Sequence, residues 1–112
     1  MNTARKGNGR EVKLAKRMES EGWLVGSRRH LGGAGDLLAV RTDYAAPHVW
    51  LIEVKSTARS PWNDFGPDDR RALLETARRH DATPVLAHWP TGGDLRYYQA
   101  HEWPTPTTRR TA

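Results

Sequence analysis

The chain has no cysteine among its 112 residues. That excludes disulfides and thiolate metal sites, and it suits a reducing interior. No apolar run approaches the ~20 residues that span a bilayer. The start, Met1-Asn2-Thr3-Ala4-Arg5-Lys6, lacks the apolar core of a signal peptide. The expected location is the cytoplasm, or a host's cytoplasm if the source is viral. Five histidines are present, but none has the spacing of a metal-ligand pair. What the chain does have is charge. Charged residues make up 28% and hydrophobic residues 37%, the balance of a globular domain rather than a disordered chain. The length suits one domain with a modest core of its own.

The net charge is +5, with a sequence pI near 10.1, which points to a polyanionic partner. Its distribution is uneven. Residues 1–30 carry eight Lys or Arg against three Glu, and residues 70–112 carry seven against four acids. Residues 31–69 reverse the balance, with six acids against three basic residues. An acidic middle between basic ends suits a metal site within a phosphate-binding surface. A basic surface that merely keeps the chain soluble is the plainer alternative.

Periodicity predicts a helix from about Arg10 to Ser20. At 3.6 residues per turn, Leu14, Ala15 and Met18 share one face, while Arg10, Lys13, Lys16 and Arg17 share the other. Glu11 falls between Met18 and Ala15 in angle, on the apolar side. A buried unpaired carboxylate is costly. Either Glu11 reaches inward to a metal or a lysine, or it sits at the helix start, where the dipole favours an acid. Gly22 ends the helix, and Trp23–Ser27 reads as a strand. Residues 28–35 form a basic, glycine-rich loop in which Arg28, Arg29 and His30 are candidate phosphate contacts; a flexible hairpin connection is the alternative.

Asp36–Arg41 reads as a second strand, with Asp36, Leu38 and Val40 on one face. Val49–Lys55 is a third, with Val49, Leu51, Glu53 and Lys55 on one face and Trp50, Ile52 and Val54 on the other. Both faces are apolar, so this is a central strand covered on each side. Its terminal Glu53 and Lys55 are then poorly explained as a solvated face. Two carboxylates and an ammonium on neighbouring strands make a compact site for a hard divalent cation and a phosphate. Pro67 with Asp68 and Asp69 opens a second helix, running to about His80 with Ala72, Leu73, Leu74 and Ala77 inward. Pro84–Trp89 and Leu95–Ala100 complete the strands. Trp62, in the loop after Lys55, either packs or stacks on a base. The order is α-β-β-β-α-β-β, one domain over residues 1–103 with a disordered tail at 104–112.

Glu11, Gly35-Asp36 and Glu53-Val54-Lys55, in that order and on those elements, resemble the PD-(D/E)XK nuclease superfamily. Within it the chain is similar to archaeal-type Holliday junction resolvases. Arg5-Lys6-Gly7-Asn8-Gly9-Arg10-Glu11, Glu21-Gly22-Trp23-Leu24-Val25 and Glu53-Val54-Lys55-Ser56-Thr57 all read that way, and the likeness covers residues 5–90. It implies an α/β restriction-endonuclease-like domain, a central mixed sheet flanked by helices. It also implies a metal-dependent endonuclease that cuts four-way DNA junctions as a homodimer. Asp36 and Glu53 would hold Mg²⁺ (Mn²⁺ also suits them), with the Val54 carbonyl as a third ligand implied by the resemblance. Lys55 would hold the attacking water or the developing charge, and Glu11 would act from the helix side. Arg5, Lys6, Arg10, Arg28, Arg29 and His30 would contact DNA.

The chain also departs from the family. Ala34-Gly35 precedes Asp36 where the superfamily's name has Pro-Asp. Asp68-Asp69-Arg70-Arg71 stands where many members carry a glutamine. Another DNA endonuclease of the superfamily, acting in repair, restriction or a mobile element, is one alternative. A non-catalytic nucleic-acid-binding module is another, which the intact Glu11, Asp36, Glu53 and Lys55 argue against.

Overall fold

The computed structural model describes residues 2–28, 34–42 and 46–99, with side chains from Gly9 onward. The elements run α1 (Asn2–Ser20), β1 (Leu24–Ser27), β2 (Leu37–Arg41), β3 (His48–Lys55), a 3₁₀ turn (Pro61–Asp64), α2 (Pro67–Arg79), β4 (Thr83–His88) and β5 (Arg96–Gln99). This is the expected order with a 3₁₀ turn added. The predicted Ala100 strand end and the 104–112 tail lie outside the described residues.

The five strands form one sheet in the order β1-β2-β3-β4-β5. All neighbours are antiparallel except β3 and β4, which run parallel. A parallel pair needs a crossover, and α2 supplies it. β3 is therefore central, as its two apolar faces require.

The sheet separates two cores. On one face, Leu14 and Met18 of α1 pack on Leu37, Ala39, Ile52, Val85 and Ala87. On the other, Leu73 and Ala77 of α2 and Phe65 pack on Leu51 and Leu86. Tyr97 joins the first core and Tyr98 the second, as alternation along β5 demands. Trp62 also belongs to the second core, edge-on to Tyr98 with centroids 5.4 Å apart, so packing is the role shown.

Two expectations are corrected. The first helix begins at Asn2, not near Arg10, which places Glu11 in its third turn. The dipole acts within the first turn, so it does not account for this acid's position. On α2, Leu74 is 40% exposed and Ala72 is exposed, whereas Thr76 is buried. Leu73 and Ala77 centre the apolar stripe, and Thr76 and Leu74 flank that centre at equal angles, so the seat of α2 on the sheet decides which of them is covered. The expected helix end at Gly22 is a Schellman motif: Gly22 takes φ +102°, Trp23 N–H donates to the Met18 carbonyl, and Gly22 N–H donates to that of Glu19.

Candidate active site

Glu53 and Lys55 follow Leu51 along β3 at the two-residue period, so both emerge on the α2 face. Asp36 stands just before β2, on the same face as Leu38. Its backbone N–H donates to the Ile52 carbonyl at 2.7 Å, which fastens the start of β2 beside Glu53. Leu37, the first residue of β2, pairs with Ile52, so Val54 lies past the end of that ladder. The Asp36 carboxylate fills the gap by accepting the Val54 N–H at 2.8 Å.

Gly35 makes this approach possible. Its φ is +92°, a conformation that side chains disfavour. A Cβ there would also lie 2.7 Å from Leu51 Cδ1. The glycine thus sets the turn that aims Asp36 and lets the backbone press on the second core.

Asp36 and Glu53 line one open cleft of about 480 Å³, whose other walls are Ala34, Gly35, Phe65, Asp69 and Ala72. Lys55 Nζ lies 3.6 Å from Glu53 Oε2, and these two side chains are 22% and 21% exposed. The ammonium also rests 5.9 Å from the centre of the Phe65 ring. Arg70 Nε donates to the Phe65 carbonyl at 2.9 Å, while its guanidinium lies over the Trp62 ring. The segment after Lys55 is tied to β4 through His88 Nε2, 2.7 Å from the Thr57 carbonyl.

The Glu53 carboxyl is pushed up to about 7. Burial is the largest cause and the Asp36 charge the next; Lys55 pulls it back, and Asp69 adds a smaller upward push. Mutual repulsion between the two acids is visible from the sequence, but the larger desolvation effect is not. A carboxylate held near neutrality beside another gains from a cation that neutralises both.

The donors fit a hard cation, since both are oxygens and no thiolate is available. Among the described residues, no three His, Cys, Asp or Glu are grouped to hold a metal. Asp36 and Glu53 would therefore supply two ligands and leave the rest to carbonyl, water and phosphate oxygens, the usual manner of Mg²⁺.

The structure gathers Asp36, Glu53 and Lys55 at one edge of the sheet. Glu11 is half-buried on α1, which covers the opposite face, and it is not among the residues lining the cleft. Arg28 Nη2 donates to the Ala34 carbonyl at 3.2 Å, bridging the two ends of the glycine-rich loop. Arg10 Nη2 donates to the Trp89 carbonyl. The side chains of Arg5 and Lys6, and the whole of Arg29 and His30, lie outside the described residues. Sequence reasoning missed Phe65 and Asp69. Phe65 is the chain's one phenylalanine, set in a polar loop where an aromatic needs cover. Asp69 is an acid in a helix's first turn, fully accounted for by the dipole.

These features define a mixed α/β domain with an acidic cleft at the end of its central strand. No family model and no curated protein matches the chain. Among solved structures it is similar to Hjc, a Holliday junction resolvase from the archaeal hyperthermophile Archaeoglobus fulgidus. The TM-score is 0.72 at 19% identity, over 86% of this chain and 74% of that one. The chain therefore shares the fold of that resolvase. No helix among the described residues is long and apolar enough to cross a membrane.

Proposed function

We propose that this protein is a metal-dependent DNA endonuclease of the PD-(D/E)XK type that resolves four-way junctions. The observation that carries the reading is the convergence of Asp36 and Glu53 on one cleft with Lys55 3.6 Å from Glu53, whose carboxyl is pushed up to about 7 by burial and by Asp36. The resolvase-like fold and the basic composition support it.

Phosphodiester hydrolysis needs negative charge neutralised, a water placed in line and a leaving oxygen stabilised. A Mg²⁺ or Mn²⁺ held by Asp36, Glu53 and the Val54 carbonyl would supply the Lewis-acid charge for this. Asp36, fixed through Val54 N–H, presents its carboxylate to the cleft in one orientation. Lys55 stands beside Glu53, where its ammonium holds the attacking water or meets the charge developing on phosphate. Glu11 acts on Lys55 or on that water from the α1 side. Arg5, Lys6, Arg10, Arg28, Arg29 and His30 bind the DNA backbone. Two symmetric nicks require two such sites, so the working form is a homodimer.

The test is purified protein with Mg²⁺ on labelled four-way junction, flap, duplex and single strand. Paired, symmetric nicks confined to the junction are expected, with binding retained but cutting lost in Lys55→Ala. Equal cutting of linear duplex would remove junction selectivity and leave another endonuclease of this type. Binding with no cutting of any substrate would leave only a nucleic-acid-binding module.

A further inference from the structure

Three cations of α1 converge on one ring at the sheet edge that carries the cleft. Arg10 lies 5.2 Å, Lys13 4.9 Å and Arg17 5.4 Å from the centre of the Trp89 ring. No two of them can then be farther apart than about twice those distances, close to the Debye length at ~0.1 M salt, so their repulsion is only partly screened. The indole face offsets part of it. Among the described residues, Arg17 alone of the three has a carboxylate partner, Glu21 at 3.4 Å, and that pair is exposed. Lys13 has no ion-pair partner among the described residues, and Arg10 Nε is buried there without a hydrogen-bond acceptor.

Lys13 and Arg17 are exposed and Arg10 is half-buried, yet all three lie over one ring, where a merely solvated basic face would spread such long side chains into water. Gathering them instead leaves positive charge uncompensated at one place, which is what a phosphate-binding surface needs. The location fits. Trp89 N–H donates to the Lys55 carbonyl at 2.9 Å, so the ring begins one backbone hydrogen bond from the cleft. Its side chain packs on the α1 core, on the opposite face from Glu53. A strand whose scissile phosphate sits at Lys55 and which runs over this edge brings its flanking phosphates onto α1.

We propose that Arg10, Lys13 and Arg17, gathered on Trp89, form a second phosphate-contact site that holds the DNA backbone flanking the cleft. This rests on the DNA-directed reading above, and it adds Lys13, Arg17 and Trp89 to the binding surface.

The test is binding without divalent cation, by fluorescence anisotropy on a labelled four-way junction at several salt concentrations. Wild type is compared with Lys13→Gln/Arg17→Gln and with a control of equal charge loss, Lys16→Gln/Arg79→Gln. The first double is expected to bind ~10-fold more weakly near 0.1 M salt, with a log–log salt slope shallower by about two. The control is expected to stay close to wild type. A charge-keeping Lys13→Arg/Arg17→Lys double is expected to bind within about twofold of wild type, since phosphate contacts follow charge. Thermal melts verify that each variant folds. If both charge-loss doubles weaken binding alike, or neither does, the inference is overturned while the proposed function stands. If wild type binds no DNA, the DNA-directed reading itself fails.

Discussion

Asp36 closes the end of the β2–β3 ladder, its carboxylate accepting the Val54 N–H at 2.8 Å. A residue proposed to hold a cation is thus also a structural cap on the strand that carries its partner acid.

Asp36→Ala is expected to lose about 1–3 kcal/mol, because Val54 N–H is left without its acceptor. Asp36→Asn keeps a carbonyl acceptor and should lose less, measured by urea denaturation. Either substitution removes a negative neighbour, so Glu53 should titrate below its wild-type value of about 7 in a carbon-13 carboxyl titration.

Glu53 binds its proton more tightly in the folded state than in the unfolded one, about 7 against an ordinary 4.5. Its contribution to stability is therefore greatest below pH 4.5 and falls as pH rises to about 7, by up to about 3 kcal/mol. Glu53→Gln should flatten that part of the stability–pH profile. Added Mg²⁺ should raise the Tm of wild type more at pH 8 than at pH 5, and should leave Glu53→Gln nearly unmoved. Thermal melts across pH 5–8, with and without the ion, read both effects.

Gly35→Ala should destabilise the fold by about 2 kcal/mol, through a positive φ and a methyl pressed into Leu51. Chemical denaturation measures the loss. Gly26→Ala, where nothing lies within 4 Å of the added methyl, is the matched control and should change stability far less.

Phe65→Ala should cost about 3–5 kcal/mol, the usual range for emptying a buried aromatic site. Phe65→Leu keeps most of the volume and should fold. It removes the ring beside Lys55, so a change in the Lys55 Nζ signal by NMR, with Tm nearly kept, would separate that wall's effect from packing alone.

Much of the candidate site was legible because strands alternate. The period of two places Glu53 and Lys55 with Leu51, and Asp36 with Leu38, whichever strands pair. Helical angle likewise turned Glu11 away from the exposed side of α1, and the glycine at 35 marked a special backbone. Other features were not legible. Leu74 and Thr76 lie on either side of the same stripe, and only the seat of α2 on β3 and β4 selects the threonine. Phe65 and Asp69 come from a loop and a helix start, where no period exists to assign a face.

By itself the sequence determined the order of elements, the faces of the strands and the chemistry on offer: two carboxylates, an ammonium and a basic surround, without a thiol. These follow from local periodicity and residue type, which need no partner strand. The tertiary structure alone decided that the carboxylates share a cleft walled by Phe65. It alone seated α1, the helix that carries Glu11, on the far face of the sheet and brought three α1 cations together on Trp89. Those relations depend on strand register and helix packing, which join residues far apart in the chain, and burial then sets the charge state of Glu53 more strongly than any neighbour in sequence.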